Sequence, residues 1–393
     1  MTSLETSLPL RGKRPRNRRE LIVRAAADLF YRVGYPQVTM ADVAAAVGVG
    51  PSALYRHFAG KQELLVAAVS QALRPYAEIV TADLDTTIER LAAAAVEERR
   101  AGVLWQRESR HLPAADRAVL RESVRAGVLA FARLLEESRT QTQAEFLAWC
   151  DFSVLTSPSY HRLELPSADY QELLADMSRE VSTVELPEIE YGQESVNEQR
   201  VEPRSRREAL LRTAAVMFAE NGYGTASLQE IGAGVEIAGP SIYHHFDSKL
   251  DLLVALMNRG AEWLRRDMSS ELAAASDPAD ALSRLLRSYA GFALAHRELV
   301  DILITEVAQL PGPDRHRTRQ IQRDYVAEWV HLLRSVHSDL AEVPARIRVQ
   351  ATLTVINDIA RTTQLRRAKN VDAALHAVGG ALLGLPVSAA GHS

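Results

Sequence analysis

Cysteine is almost absent from this chain: Cys150 is the only one among its 393 residues. A single thiol excludes an intrachain disulfide framework and all cysteine-rich zinc sites, and it is typical of a cytoplasmic protein. Cys150 lies in the apolar stretch FLAWCDF, where no neighbour would lower the pKa of its thiol. We therefore expect this side chain to be buried and inert.

Long apolar runs are missing as well. No uncharged apolar stretch reaches the roughly 18 residues that a membrane helix needs, and the first 20 residues lack the apolar core of a secretory signal. The chain also lacks a P-loop, a GxGxxG motif after a strand, an HExxH motif and a GxSxG motif. These absences predict a cytoplasmic protein without a membrane partner, a bound cofactor or catalytic machinery.

The net charge is only −4, but the charges are unevenly distributed. Residues 11–69 contain ten Arg or Lys against four Asp or Glu, whereas residues 157–203 contain three basic against eleven acidic residues. The stretch 11–19 has six basic residues out of nine and no acidic one. Such a basic arm suits the phosphates or the minor groove of DNA, although a solvated tail would have the same composition.

The most informative feature of the sequence is an internal repeat. A shift of 188 positions superposes residues 18–69 on residues 206–257 without a gap, and 19 of these 52 positions are identical. The identical pairs include Arg18/Arg206, Phe30/Phe218, Gly34/Gly222, Tyr55/Tyr243, His57/His245, Phe58/Phe246 and Lys61/Lys249. Chance does not produce such a match over this length, so one module occurs twice.

A weaker repeat continues beyond the module. Residues 108–117 resemble residues 306–315 at an offset of 198, so each module is followed by a related body. We predict six segments, with the joint in a polar, acidic stretch. They are a basic arm at 1–16, a first module at 17–76, a first body at 77–185, a linker at 186–203, a second module at 204–264 and a second body at 265–388.

Each module is predicted to begin with one amphipathic helix. Asn17 with Glu20, and Ser205 with Glu208, have the spacing of a capping box at the start of a helix. Apolar residues then recur at helical spacing until Gly34, which tolerates the backbone conformation that ends a helix.

Two shorter helices are predicted to follow in each module. Thr39 and Ser227 each precede an acidic residue by three positions and so start the second helix, which Gly48 ends in the first copy. A third helix begins near Pro51 and carries Ser52, Tyr55, Arg56 and His57. Two short helices joined by a tight turn form a helix-turn-helix, whose second helix enters the major groove of DNA.

The stretch TMADVAAAVGVGPSALYRHFAGKQELL (39–65) resembles the helix-turn-helix and fourth helix of the tetracycline-repressor (TetR) family of bacterial transcription regulators, and residues 227–253 are similar. The resemblance implies an all-α fold of two tandem units, each a DNA-binding module plus a helical ligand-binding and dimerisation body. It also implies DNA contacts. In the first module these are Arg14, Arg16, Arg18, Thr39, Met40, Gly50, Pro51, Ser52, Ala53, Tyr55, Arg56, His57 and Lys61. In the second they are Arg206, Ser227, Gly239, Pro240, Ser241, Tyr243, His244, His245 and Lys249.

Some aromatic residues of the motif have a structural interpretation as well. We predict that Phe58 and Phe246 are core anchors between the third and fourth helices. For Tyr55 and Tyr243 a phosphate or groove-edge contact is favoured over core packing, because the family places a contacting residue there.

The histidines of the motif are ambiguous. His57 and His245 fit packing and phosphate contact equally well. The doublet His244–His245 does not predict a metal site, because neighbouring helical positions point about 100° apart and no third ligand is nearby.

The second body contains aromatic and polar residues at helical spacing. They are Trp263, Tyr289, Phe292, Tyr325, Trp329, Asn357 and Arg361. Core packing explains each of them singly. As a set they also fit a pocket for an apolar ligand with a polar head group.

Two modules on one chain predict a covalent pseudo-dimer, in which two bodies pack as the halves of a family dimer do. The two modules differ: residues 11–69 carry a net charge of +6, residues 204–257 carry −1, and Gly48 corresponds to Glu236. We therefore predict unequal half-sites dominated by the first module. In an alternative arrangement, the second module serves assembly only and two chains pair as a homodimer.

The sequence thus predicts a DNA-binding transcription regulator, a repressor that an apolar effector releases from its operator. The rival hypothesis is a helical scaffold in which the helix-turn-helix survives only as structure. The basic arm and the intact first motif argue against the scaffold, and an enzyme has the least support because no catalytic motif is present.

Overall fold

The computed structural model describes residues 17–192, 205–236 and 239–386, and at 239 and 240 only the backbone. Predictions about Arg14 and Arg16, about the side chains of Gly239 and Pro240, and about the end of the second body at 387–388 lie outside the described residues. The described residues form helices and turns and contain no strand, which agrees with the all-α prediction.

The first half of the chain consists of a module and a body. The module has α1 (Arg18–Val33), α2 (Met40–Ala46), α3 (Pro51–Leu54) and α4 (Lys61–Glu78). The body has α5 (Leu84–Glu97), α6 (Ala101–Val103), α7 (Ala114–Arg133), α8 (Gln141–Thr156) and α9 (Ser167–Thr183). A π-helical turn (Leu104–Glu108) and a 3₁₀ turn (Ser109–His111) connect α6 to α7.

The second half repeats this arrangement. Its module has α10 (Arg206–Asn221), α11 (Leu228–Ala233), α12 (Gly239–Ile242) and α13 (Lys249–Ala274). Its body has α14 (Pro278–Ala295), α15 (Arg297–Thr305), α16 (Gly312–Val336), α17 (Glu342–Arg361), α18 (Thr363–Arg366) and α19 (Val371–Leu382). Because α4 and α13 continue past residues 76 and 264, each module shares its last helix with its body.

Local caps explain where the second helix of each module begins. Thr39 and Ser227 form complete capping boxes, with the side-chain oxygen accepting a hydrogen bond from the amide three residues later. The boxes predicted at Asn17 and Ser205 are wrong, because neither side chain caps its helix. The backbone of Asn17 is not extended as an N-cap requires, and Glu208 pairs with Arg259 instead of returning to Ser205.

The packing of each module confirms the predicted core anchors. Phe58 and Phe246 are buried between the short helices and α4 or α13, together with Phe30 and Phe218 from the first helices. Cys150 is also buried, and burial raises the pKa of its thiol, as expected for an inert side chain.

The two bodies pack against each other through four helices. In this interface α8 contacts α17, and α9 contacts α19. Arg348 on α17 donates hydrogen bonds of 2.7 Å and 2.8 Å to the two carboxylate oxygens of Glu180 on α9. Such a bidentate pair fixes both the distance and the orientation of the partners. The predicted covalent pseudo-dimer is therefore confirmed.

The first residues of the predicted linker are part of this packing. The backbone amide of Lys369 donates a 2.9 Å hydrogen bond to the carbonyl of Glu190, and Ile189 is buried. Gln143 donates to the carbonyls of Leu186 and Pro187. The prediction of a free linker from residue 186 onwards is wrong for 186–192, because alternating apolar residues anchor that segment. Residues 193–203 lie outside the described part.

The turn between the second and third helices stores backbone strain in the second module. Gly48 has a φ of 67°, and Glu236 at the corresponding position has a φ of 55°. Residues with a Cβ rarely adopt this left-handed conformation, at a cost of about 1 kcal/mol. A Cβ at Gly48 would meet no atom within 4 Å, so the cost of any other residue at this position would come from the backbone conformation alone.

We expect Glu236→Gly to stabilise the second module by about 1 kcal/mol, because glycine relieves the positive φ. Hydrogen exchange of the amides in α10 and α11 of the full chain measures this local stability. The matched control Gly48→Glu should destabilise the first module by a similar amount. Unchanged exchange in both variants would show that the turns relax without cost.

We expect the stability of the first body to depend on the protonation of Asp151. This carboxyl is buried on α8 beside the hydroxyl of Ser178, and burial raises its pKa to about 7. Below about pH 4, the pKa of this carboxyl in the unfolded chain, the group is protonated in both states and the folded state keeps its full stability. As the pH rises through 7 the buried carboxyl must ionise, and that stability is lost. Asp151→Asn should therefore exceed the wild type in stability at pH 8, by on the order of 1 kcal/mol, and show no gain at pH 4. Urea unfolding at both pH values checks this, and equal differences at the two pH values would contradict it.

Candidate DNA-binding surface and effector cavities

The third helix of the first module presents a small polar surface to solvent. Leu54 and Phe58 point inward and hold the helix on the core. Tyr55, with 57% of its surface exposed, and Arg56 point outward. The helix α3 ends at Leu54, and Tyr55 is its C-cap residue. The prediction that Tyr55, Arg56 and His57 lie within the third helix is therefore wrong, although the backbone at Tyr55 remains helical.

The corresponding surface of the second module has the same architecture. Ile242 and Phe246 are buried, while Tyr243 is 54% exposed, close to the value of Tyr55. His244 and His245 are exposed beside it. Both modules thus direct a tyrosine and a following basic or imidazole side chain away from the core.

Most of the predicted DNA contacts lie at the surface. In the first module the exposed or half-exposed ones are Arg18, Thr39, Met40, Gly50, Pro51, Ser52, Ala53, Tyr55, Arg56 and His57. In the second they are Arg206, Ser227, Ser241, Tyr243, His244 and His245. Three of these residues already form hydrogen bonds within the modules. The hydroxyls of Thr39 and Ser227 cap helices, and Arg206 donates a 3.3 Å hydrogen bond to the carbonyl of Val235.

Two predicted contacts are committed to the interior of the modules. The ammonium of Lys61 donates hydrogen bonds of 2.8 Å and 2.9 Å to the carbonyls of Tyr35 and Val38. Lys249 makes the equivalent bonds, both 2.7 Å, in the second module. Burial lowers the pKa of both ammonium groups. This geometry argues against the phosphate contacts predicted for the two lysines, which instead close the loop after the first helix.

A cavity of about 790 Å³ is lined mainly by helices of the second body. Four of the seven predicted ligand contacts line it: Tyr289, Phe292, Tyr325 and Asn357. The hydroxyl of Tyr289 donates a 2.8 Å hydrogen bond to Oδ1 of Asn357, so one polar pair lies among aromatic rings. This volume is large enough for a drug-sized ligand.

The other three predicted contacts do not line this cavity. Trp329 is fully buried in the core, where it packs against Tyr289 and Tyr325. Trp263 lies in a separate outer depression of the surface. Arg361 lies in a different cavity, paired with Asp301. Helical spacing predicted that these three residues lie on helices of the second half, which is correct. Which cavity each side chain faces depends on the angles at which neighbouring helices cross.

Sequence reasoning missed two groups of lining residues. One is the turn 160–163 of the first body, which reaches across the interface into the cavity of the second body. The other is a set of arginines on α16 and α17, namely Arg319, Arg323 and Arg346. The sequence contains two signals for the second group: the spacing of four between Arg319 and Arg323, and the same pair at Arg121 and Arg125, 198 positions earlier.

A second cavity, of about 620 Å³, shares the lining residue Asp358 with the first. It is lined by α7 and α8 of the first body and by α10, α15, α17 and α18 of the second half. Its wall includes the π-helical turn through Trp105 and Gln106. The amide of Gln106 donates a 3.0 Å hydrogen bond to Asp358 across the interface. This cavity therefore belongs to both halves.

The segment 104–111 connects this cavity to the first module. Next to the cavity-lining Gln106, Arg107 donates hydrogen bonds of 2.9 Å and 2.8 Å to the carbonyls of Phe30 and Tyr31 at the end of α1. The carboxylate of Glu108 accepts a 2.9 Å hydrogen bond from the amide of Tyr35. A shift of this segment would therefore be transmitted to the first helix of the module.

The same segment also reaches the second half. Arg110 pairs with the buried carboxylate of Glu306, and its guanidinium lies beside Gly222 at the end of α10. On the other side, the ring of His111 stacks on Tyr35 with 5.3 Å between centroids. Burial, followed by the nearby cations, lowers the pKa of His111 to about 4, so this contact is neutral at physiological pH.

No helix within the described ranges is both long and apolar enough to cross a membrane. The described residues also include no cluster of three or more His, Cys, Asp or Glu side chains that could hold a metal ion.

Comparison with known proteins places these features in a family. The model described as "Bacterial regulatory proteins, tetR family" matches residues 22–68 and 210–256, and a tetracyclin repressor-like C-terminal domain matches residues 275–361. The HTH-type transcriptional repressor KstR2 of Mycolicibacterium smegmatis is 30% identical over 143 residues, which are 35% of this chain and 68% of that protein. The HTH-type transcriptional regulator TcmR of Streptomyces glaucescens is 35% identical over 80 residues, which are 18% of this chain and 35% of that protein.

Among solved structures, a TetR-family transcriptional regulator from Bordetella parapertussis aligns with a TM-score of 0.42 and 20% identity, over 47% of this chain and 100% of that chain. The family model matches each helix-turn-helix module separately, at the positions where the repeat and the geometry place them. With a 30% identical relative covered over 68% of its length, the chain belongs to the TetR family of DNA-binding transcription regulators.

Proposed function

We propose that the protein is a repressor that binds one operator with two unequal modules and leaves it when an effector binds. The observation that supports this best is the pair of outward-facing surfaces around Tyr55 and Tyr243, held on one covalent pseudo-dimer. Two such surfaces suit two half-sites about one helical turn apart. KstR2 carries the name of a repressor, which favours repression over activation.

In this proposal the first module dominates. Arg56 in the first module corresponds to His244 in the second, and the flanking residues 11–69 are far more basic than residues 204–257. Since neutralised phosphates supply most of the non-specific affinity for DNA, the second module contributes less of it. Its exposed Ser241, Tyr243 and His244 still allow contacts with a half-site of different sequence.

The cavity of the second body is the proposed effector site. Aromatic rings of Tyr289, Phe292 and Tyr325 give it an apolar interior, and the Tyr289–Asn357 pair offers one polar anchor. Arg319 and Arg323 contribute positive charge to its lining. We propose an apolar effector with a polar or anionic head group.

Selection of bound sites from random duplex DNA with the full chain tests the proposal. We expect two related but unequal half-sites, bound by one chain, with footprinting showing stronger protection over the half-site of the first module. A perfect palindrome bound by two chains would instead assign the second module to assembly. No enriched sequence at moderate salt would overturn the regulator and favour a scaffold.

A further inference from the structure

The cavity of about 620 Å³ between the first body and the second half differs in chemistry from the proposed effector site. We propose that it binds a second ligand, an organic anion with a flat aromatic part. This ligand adds to the proposed function, but its binding does not require DNA, so the two proposals can fail separately.

The positive charge of the cavity comes first from α7. Arg117, Arg121 and Arg125 are spaced by four residues, so they follow one face of the helix and all three line the cavity. None of them forms an ion pair with an acidic residue in the described part of the chain. Arg117 is half-buried and Arg121 and Arg125 are exposed, so the three guanidinium groups are open to a carboxylate or a phosphate that enters from solvent.

The opposite wall contains charges of both signs, because Glu220, Glu298, Asp301 and Asp358 line it together with Arg297 and Arg361. Arg361 pairs with Asp301, and Arg297 lies 3.1 Å from the carboxylate of Glu298. In this wall Nη1 of Arg361 is buried and has no hydrogen-bond partner among the residues that the structure describes, and Oδ1 of Asp358 lies 4.0 Å from it. Unpaired buried donors are rare in native proteins and call for a partner. A bound anion would satisfy such a donor. The whole lining contains six arginines and four acidic residues, so its formal net charge is +2.

Aromatic side chains complete the site. Trp105 and Trp149 are half-buried and line the cavity together with Phe152. The rings of Trp149 and Phe152 are nearly perpendicular, with 6.0 Å between centroids. Two indole rings next to guanidinium groups suit a flat aromatic ligand, which can stack on either kind of group.

The internal repeat places a pair of arginines at equivalent positions in both cavities. Arg121 and Arg125 correspond, at the offset of 198, to Arg319 and Arg323, which line the cavity of the second body. The interiors differ, since two tryptophans line the first cavity and none lines the second, whereas three tyrosines line the second and none lines the first. A fused chain is free to evolve two different ligand sites from one ancestral pocket, which two identical subunits are not.

Fluorescence titration of the full chain, in the absence of DNA, tests the proposal with two matched probes. The first is the aromatic anion 8-anilino-1-naphthalenesulfonate, and the second is N-phenyl-1-naphthylamine, which lacks the sulfonate. We expect the Arg121→Gln/Arg125→Gln double variant to remove one class of anion sites, weakening its affinity tenfold or more. Binding of the neutral probe should change less than twofold. Energy transfer from Trp105 and Trp149 to the bound anion should fall in parallel.

The control double variant Arg133→Gln/Arg139→Gln makes the same change in net charge outside the lining and should retain full binding of the anion. Circular dichroism checks that all variants are folded. Unchanged affinity for the anion in Arg121→Gln/Arg125→Gln would overturn the proposal. An equal loss for the anionic and the neutral probe would overturn it too, because the arginines would then act by shape and not by charge.

Discussion

Replacing Tyr55 and Arg56 of the first module by alanine is expected to weaken binding of the operator about a hundredfold. Each lost contact of this kind costs about 1–3 kcal/mol, and the two side chains lie side by side on the exposed surface of α3 and the turn that follows it. Because Tyr55 is 57% exposed, its truncation removes little from the core. Titration of labelled operator at several salt concentrations measures the loss and shows a shallower salt dependence, since Arg56 no longer neutralises a phosphate.

The second module supplies the matched control for this experiment. Tyr243 and His244 occupy the corresponding positions and are equally exposed, so Tyr243→Ala/His244→Ala disturbs the fold no more than the first variant. We expect a loss of less than tenfold, confined to one half-site of the footprint. Equal losses for the two double variants would contradict the proposed dominance of the first module. No loss in either variant would show that DNA binds elsewhere.

Removing the guanidinium of Arg110 is expected to cost about 3 kcal/mol of the free energy of unfolding. Arg110 on the first body pairs with Glu306 of the second half, and this carboxylate is fully buried. Arg110→Ala would leave the charge of Glu306 with only Thr305 as a hydrogen-bond donor among the described residues. An uncompensated buried charge is much more costly than the absence of the whole pair. Urea unfolding followed by circular dichroism measures the effect.

A double variant separates the ion pair from the packing around it. Arg110→Met/Glu306→Gln keeps similar volumes and removes both charges, and we expect it to recover more than half of the loss. Because Arg110 adjoins both a cavity and the end of α10, the double variant should also weaken the effect of any cavity ligand on operator binding. A single variant as stable as the wild type would show that water already solvates Glu306.

The sequence by itself determined the two modules and their order. The repeat is visible as 19 identities at one offset. Within each module, the capping residues Thr39 and Ser227 and the buried Phe58 and Phe246 make contacts that span a few residues or one short helix. Local chemistry of this kind leaves a clear trace in the sequence, because cap, turn and anchor lie close together along the chain. The family, the all-α fold and the exposed tyrosines could therefore be predicted.

Only the tertiary structure decided what the long side chains do. Lys61 and Arg361 looked free to bind phosphate or ligand, yet Lys61 bonds to backbone carbonyls 23 and 26 residues away, and Arg361 pairs with Asp301 on another helix. The cavity walls combine α7 with α17, or the turn 160–163 with α16, which are more than 100 residues apart in the chain. Such contacts depend on the angles at which helices cross, and helical periodicity does not encode those angles.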